Sequence, residues 1–269
     1  LFHNLKERIM ASEISNRAEI DPRAKIGNNC KIYPFAYIEG DVVIGDDCVI
    51  YPFVSIMNGT RMGNGNTIYQ NTVIGATPQD FDFEGAATET IIGNNNNIRE
   101  NVVINRATNA GGQTVIGNEN FLLEGAHVSH DTKIADKCVL GYGTKIAGDC
   151  EIGSNVVFSA NVIVNAKARV GNAAFIKPGT NFRKDVPPFV VAGGTPVGYN
   201  GLNNVILDAL GITEKAQKHI ANAYRLLFHG QTSVEDGIYQ IKQQVPSGEE
   251  IDEIIEFLGG TKNGLMTKL

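Results

Sequence analysis

Ala24-Lys-Ile-Gly-Asn-Asn-Cys-Lys-Ile-Tyr-Pro-Phe-Ala-Tyr-Ile38 repeats a phrase of six residues. Ile26, Ile32 and Ile38 are large and apolar, and Ala24, Cys30 and Ala36 are small. Stepping by six from Ile20 to Phe182 visits 28 positions, of which 25 are Ile, Val, Leu, Met or Phe; Asp80, Ala86 and Ala110 break the run. Helix and hairpin patterning do not generate that period, and self-similarity at a fixed short step marks a solenoid. The residue four after each large one stays small, through Cys48, Val54, Thr60 and Asn66 and later Ala126, Thr132, Cys138 and Thr144. This pairing suits a triangular coil of three short flat strands in which both positions point inward. Gly27, Gly45, Gly63, Gly93, Gly117 and Gly153 directly follow a large residue, with Asn, Asp or Ser next; such residue types tolerate tight corners and left-handed backbone angles.

Three hexads make one coil, so residues 20–182 build about nine coils, a prism roughly 40 Å long at the usual strand spacing. The pattern resembles the left-handed parallel β-helix of the hexapeptide-repeat acyltransferases. The handedness follows from that resemblance, since the general rule for β-crossovers is right-handed. The expected organisation is mainly β: a left-handed parallel β-helix over 12–191, then a small α-helical carboxy-terminal domain over 192–269. The hexad ends after Asp185-Val-Pro-Pro188, and a Gly- and Pro-rich link, Gly193 to Gly198, follows. Thr213 is a candidate helix cap ahead of Ala216, Ile220, Ala223 and Leu227 at helical spacing, while Ser233 and Ser247 open two further amphipathic segments. Leu1 to Arg8, ahead of Met10, is a native lead-in or a foreign remnant and stays outside the fold argument.

The chain is 42% hydrophobic and 19% charged, ordinary for a globular protein. With 23 Lys and Arg against 29 Asp and Glu the net charge is -6, which argues against a general nucleic-acid binder, because phosphate neutralisation needs a basic face. No apolar stretch approaches the ~20 residues of a membrane span, and residues 1–19 carry no signal-peptide core, so no stable membrane insertion is expected and the chain reads as cytosolic. Cys30, Cys48, Cys138 and Cys150 all take the small inward position. Free buried thiols, and hence a reducing compartment, fit better than a disulfide or a metal.

Two segments leave the repeat, at about 76–90 and 105–114. Each reads as a loop extruded from the prism, and solenoid insertions gather where ligands bind. Of the five histidines, two fall together in His127-Val-Ser-His-Asp131. The inward positions there are Ala126, Val128 and Thr132, so both imidazoles face outward. A histidine titrates near neutrality, and an adjacent carboxylate fixes its tautomer, which makes this cluster a candidate for acid–base work.

His127-Val-Ser-His-Asp131, Asn97-Ile-Arg-Glu-Asn-Val-Val-Ile104 with Arg106 and Thr108, Gln79-Asp80, Ile146-Ala-Gly148, Asp185-Val-Pro-Pro-Phe189 and Asn222-Ala-Tyr-Arg-Leu-Leu227 together resemble the family of acyl-carrier-protein-dependent UDP-N-acetylglucosamine O-acyltransferases. The likeness runs from about Ile14 to the final helix. It implies an acyltransferase that moves a 3-hydroxyacyl chain from acyl carrier protein to the sugar 3-hydroxyl, the first step of lipid A biosynthesis, in the cytoplasm of a Gram-negative bacterium. By the same resemblance His130 is the general base, Asp131 orients its ring and the Gly148 amide serves the oxyanion. Asp80 of the first loop holds the glucosamine part, with Gln79 beside it as a further substrate-binding residue, His127 meets the sugar or acyl donor, and Asn200 reaches the nucleotide phosphates. Pro178 stands where the family tunes acyl-chain length. No metal and no cofactor are implied, since the thioester is already activated.

Departures from the family pattern are specific. Histidines of the family are replaced by Asn105, Asp149 and Asn165, a basic residue by Asp82, and the paired arginines before the first long helix by Ala209 and Leu210. Diphosphate binding must therefore be arranged differently. Docking an acidic carrier protein needs basic side chains, and Arg183 and Lys184 are the candidates. The resemblance also implies a homotrimer with its site between neighbours. Among rivals, the related N-acyltransferase carries an additional amino-terminal domain, and here the repeat starts near residue 14. A zinc carbonic anhydrase on the same prism needs three His ligands, yet His3, His219 and His229 lie outside the repeat. A bare scaffold leaves the His cluster and both loops unexplained.

Overall fold

Residues 11–229 and 233–268 are described by the computed structural model; the lead-in Leu1 to Arg8 lies outside them. Among the described residues the strands, mostly two residues long, form three sheets of twelve, nine and eight strands. Each sheet collects every third strand, so the chain visits the three faces in turn. The first face runs from Glu13–Ile14 through Lys31–Ile32 to Val190–Gly193, the second from Glu19–Ile20 to Asn181–Phe182, and the third from Lys25–Ile26 to Arg169–Val170. Pairing is parallel throughout the prism, with Lys31 beside Val49 eighteen residues on. This is a parallel β-helix of hexapeptide repeats.

The inward stacks follow the sequence period. Ile50, Ile56, Ile68, Ile74, Ile98 and Ile104 are fully buried, as are the small partners Ala36, Cys48 and Val54. Each buried branched side chain contributes about 1.5–3 kcal/mol, and the stack repeats that contribution coil after coil. All four cysteines are free and buried, and burial pushes the thiols of Cys138 and Cys150 up to about 12, so they pack as small apolar groups.

The corners explain the Gly-Asn/Asp signature. The Asn28 amide donates to Asp46 Oδ1 (2.6 Å), Asp46 to Asn64 Oδ1 (2.8 Å), Asn64 to Asn94 Oδ1 (2.8 Å), Asn94 to Asn118 Oδ1 (2.8 Å) and Asn118 to Asp136 Oδ1 (2.7 Å). Beside this ladder the glycines stack so closely that a Cβ on Gly93 would sit 2.5 Å from the Gly117 carbonyl oxygen. The next coil's backbone, more than the turn itself, therefore requires glycine there.

Both excursions occur where the repeat breaks. Thr67 pairs with Asn97, thirty residues on, and Asn97 with Phe121, twenty-four on, so twelve and six residues are added to the eighteen of a plain coil. These are two hexads and one, which is why the six-residue step resumes in phase beyond each loop. Outside the regular strands the loops occupy 77–88 and 106–112, slightly narrower than the sequence implies.

The helical part begins later than 192. Val190–Gly193 still pairs with Phe175–Ile176 of the first face, and Gly198–Leu202 folds back antiparallel to it, because the Gly- and Pro-rich link makes a hairpin instead of a helix lead-in. Four helices follow: α1 (Asn204–Ala209), α2 (Glu214–His229), α3 (Val234–Gln244) and α4 (Glu249–Gly259). Thr213 Oγ accepts from the Ala216 amide and Ser233 Oγ from the Asp236 amide, as cap residues do. Ser247 does not cap α4; Gly248 stands there instead. Tyr224 of α2 is fully buried and its hydroxyl donates to the Pro188 carbonyl (2.6 Å), fastening the helices to the prism's last turn.

Helix α4 closes the corner ladder. The Ser154 amide donates to Asn172 Oδ1 (2.7 Å), and Asn172 Nδ2 donates to Glu253 Oε1 (2.7 Å). Burial holds the Glu253 carboxyl above its ordinary value, as it does Asp185. An acid raised in this way binds more protons folded than unfolded, so its share of stability is present below the unfolded value and is lost as pH rises through the folded one. Glu253→Gln keeps the acceptor and removes the buried charge. Its melting temperature is expected to exceed that of the unsubstituted protein at neutral pH, with the gain vanishing below pH 4.5. Gly93→Ala is expected to lose about 1–3 kcal/mol of stability from the forced contact between coils, read by denaturant unfolding.

Candidate active site

Coil geometry places His127 and His130 as the repeat requires. His127 lies on the strand His127–Val128 with Val128 buried beneath it, and His130 follows on the corner between the second and third faces. Asp131, at φ 58°, takes the left-handed corner position that Asn and Asp tolerate. It is held from two directions, once through its backbone and once through its carboxylate. The Asp131 amide donates to Thr114 Oγ1 (2.9 Å), and the Thr108 amide of the second loop donates to Asp131 Oδ2 (3.0 Å). The same Oδ2 lies 2.9 Å from His130 Nδ1. Asp131 is thus clamped by the coil below and by the loop before it can orient the ring.

The other ring nitrogen meets the first loop. His130 Nε2 lies 3.1 Å from Asp80 Oδ2, so the imidazole sits between two carboxylates. The side chains are 16% exposed at His130, 27% at Asp80 and 18% at Asp131, so all three are largely but not wholly withdrawn from solvent. A ring donating from Nδ1 to Asp131 presents a lone pair at Nε2, and a carboxylate has no proton to offer it. The Asp80 contact is satisfied only when Nε2 is also protonated, or when a donor such as a hydroxyl comes between them.

Gly148 lies directly against the ring: a Cβ there would stand 2.6 Å from His130 Nε2. Among the described residues the Gly148 amide donates to no partner. His127 is turned aside, its Nε2 3.0 Å from Ser129 Oγ. Burial, helped by the Lys145 ammonium on the neighbouring strand, holds His127 below the ordinary imidazole value, so it is a neutral hydrogen-bonding group at physiological pH.

The first loop is pinned to the second. Asn105 Nδ2 donates to the Thr77 carbonyl (2.8 Å), and the Arg106 guanidinium lies over the Phe83 ring at 5.2 Å. Asn105, where the family pattern has a histidine, is thereby a buried anchor for the loop that carries Asp80. Gln79 is exposed beside it.

Other expected site residues stand elsewhere on the prism. Pro178, exposed at the corner between the first and second faces, and Arg183 and Lys184, exposed at its last turn, are not brought to His130 within one chain. Asn200, on the strand Gly198–Leu202, is likewise remote and hydrogen-bonded to Lys177 Nζ (2.6 Å). The sequence reading missed Thr114 and the Asp80–His130 contact. Thr114 was hidden among the small inward residues, and the contact depends on the path of an unpatterned loop. Among the described residues no group of three or more His, Cys, Asp or Glu is placed to hold a metal ion. No described helix is long and apolar enough to cross a membrane.

A β-helix of hexapeptide repeats with a clamped His–Asp pair on one corner defines a hexapeptide-repeat transferase. Residues 23–56 and 41–76 match the bacterial transferase hexapeptide repeat, and 185–266 match the family described as UDP N-acetylglucosamine O-acyltransferase, domain 2. The acyl-(acyl-carrier-protein)–UDP-N-acetylglucosamine O-acyltransferase of Nautilia profundicola is 36% identical over 258 residues, 94% of this chain and 96% of that one. That of Halorhodospira halophila is 30% identical over 256 residues, 95% and 99% of the two chains. The crystal structure of the UDP-N-acetylglucosamine acyltransferase LpxA of Bacteroides fragilis superposes with a TM-score of 0.92 at 43% identity, covering 94% of this chain and 99% of that one. The chain belongs to the family of acyl-(acyl-carrier-protein)–UDP-N-acetylglucosamine O-acyltransferases, and it is an acyltransferase.

Gly148→Ala tests the packing of the ring. The added methyl should push the His130 ring aside by an ångström or so; the expected outcome is a rate about a hundredfold lower, as for a misplaced reacting group, with a melting temperature close to that of the unsubstituted protein.

Proposed function

We propose that the protein transfers a 3-hydroxyacyl chain from acyl carrier protein to the 3-hydroxyl of UDP-N-acetylglucosamine by general-base catalysis at His130. The observation that carries this reading is the imidazole held between Asp131 at Nδ1 (2.9 Å) and Asp80 at Nε2 (3.1 Å), against Gly148. On binding, the sugar hydroxyls displace the Asp80 carboxylate from Nε2, and Asp80 accepts from the sugar instead. His130 Nε2 then takes the proton of the 3-hydroxyl as its oxygen attacks the thioester carbon. The carbonyl π pair moves onto oxygen, and the unpaired Gly148 amide donates to that oxyanion. Collapse re-forms the carbonyl and breaks the C–S bond, and the imidazolium returns its proton to the departing sulfur. Asp131 stabilises the imidazolium between the two transfers. The reaction needs neither metal nor cofactor, because the thioester supplies the activation.

Gln79 and His127 flank the sugar and the acyl donor, and Pro178 limits the acyl chain. Pro178 and Asn200 belong to other parts of the prism than His130, which supports a homotrimer whose site lies between copies. Arg183 and Lys184 dock the acidic carrier. This activity is the first step of lipid A biosynthesis and is carried out in the cytoplasm of a Gram-negative bacterium.

The test is transfer to UDP-N-acetylglucosamine from a panel of 3-hydroxyacyl carrier proteins. His130→Ala is expected to lose about 10²–10⁴ in kcat, the usual worth of a general base. Asp131→Asn should lower kcat with little change in KM. An alanine variant retaining the unsubstituted rate would falsify the general-base role.

A further inference from the structure

The side chain of Asn200 is committed in a way that bears on how a nucleotide diphosphate is held. Its Nδ2 donates to the Gly198 carbonyl (2.9 Å) and the Gly193 carbonyl (3.3 Å), and its Oδ1 accepts from Lys177 Nζ (2.6 Å). Two carbonyls on one side and an ammonium on the other fix which end of the amide is oxygen. A phosphate oxygen only accepts, so this Asn200 has no donor left to offer it. Lys177 does. Its ammonium has three donors, one of them spent on Asn200, and among the described residues it has no other hydrogen-bond partner.

The lysine stem is also placed. A Cβ on Gly193 would lie 2.7 Å from Lys177 Cδ and 3.0 Å from Cγ, so the stem lies flat across a glycine of the last coil with its ammonium led toward Asn200. Ala209 and Leu210, where the family pattern has paired arginines, are both exposed at the end of α1 and carry no charge. The family's paired arginines are absent there, while Lys177, which among the described residues has no carboxylate partner, holds its ammonium on Asn200.

We propose that Lys177, aimed by Asn200 and by the packing of its stem on Gly193, is the cation that binds the diphosphate of the nucleotide sugar. Asn200 is then a positioning residue. This deepens the functional reading above and rests on it for the identity of the nucleotide. Lys177 stands on the corner between the first and second faces and His130 on the corner between the second and third, a little over two and a half coils earlier in the chain. At the usual strand spacing that is ~12 Å along the axis in addition to the width of a face, too far for one sugar nucleotide. The diphosphate held by Lys177 therefore belongs to a sugar bound at His130 of a neighbouring copy.

Calorimetric titration of UDP and of uridine into the unsubstituted protein, Lys177→Met, Lys177→Arg and Asn200→Ala tests this without requiring acyl transfer. The unsubstituted protein should bind UDP more tightly than uridine. Lys177→Met, which keeps the stem over Gly193, should weaken UDP about tenfold or more, the worth of one charge-assisted hydrogen bond, and leave uridine unchanged. Lys177→Arg should retain most of the affinity, and Asn200→Ala should weaken UDP less than Lys177→Met. In the transfer assay the same loss should appear in KM for UDP-N-acetylglucosamine, with kcat and the KM for the acyl donor little changed. Equal affinity of Lys177→Met and the unsubstituted protein for UDP, or no UDP binding by either, overturns the assignment, as does a change confined to the acyl-donor KM. Lysine-dependent UDP binding without acyl transfer would keep the assignment and sink the proposed reaction.

Discussion

Each coil must lie on the next through parallel backbone hydrogen bonds, and that demand governs everything else in the molecule. With eighteen residues to a turn, position n rests on position n + 18, so isoleucine stacks on isoleucine and corner carboxamide on corner amide. The interior has a fixed cross-section, filled by one large and one small residue per face. Glycine is required at the corners because the neighbouring coil's carbonyl already occupies the space of a Cβ. A side chain's direction is then a property of its place in the repeat, with little left to local propensity.

That rigidity suits acid–base chemistry. His130 and Asp131 inherit fixed backbones from the coil, Asp131 in a left-handed corner that Thr114 and Thr108 clamp. Preorganised groups need not reorganise as charge develops, and in such sites this is a large part of catalysis. The one partner of the ring that comes from irregular chain is Asp80, and its loop is fastened through Asn105 and the Arg106–Phe83 stack. The division is between a base that must not move and a carboxylate that must exchange partners.

What could be read in the sequence and what could not divide along the same line. The period put Cys30, Cys48, Cys138 and Cys150 inside and His127 and His130 outside, because inward and outward alternate by arithmetic. The loops were visible as interruptions. The carboxylate on Nε2 was not, since Asp80 reaches His130 through a segment whose path no pattern encodes. The strand hairpin at 190–202 replaced an expected helical start because its glycines and Pro196 were legible as a link but its pairing partner, the last coil, was not. Gly248 in place of Ser247 at the start of α4 is a shift of one residue, within the ambiguity of adjacent capping candidates. Asn200 was legible as a polar residue near the end of the prism, whereas the direction of its amide depends on Lys177, from the preceding coil, and on a hairpin that turns two nearby carbonyls toward it.

The corner ladder has a sense of direction. Every oxygen in it accepts from the coil nearer the amino terminus, and the last amide, Asn172, hands the chain on to Glu253 of α4. Each rung ties the corner backbone of one coil to a side chain of the next. In a repeat array where each unit touches only its neighbours, such a series makes opening a travelling event that starts at an end. Helix α4 blocks one of those ends. Protection of backbone amides against solvent exchange should therefore be graded along the prism axis, with the slowest exchange on the side that α4 closes and with His130 inside the protected stretch.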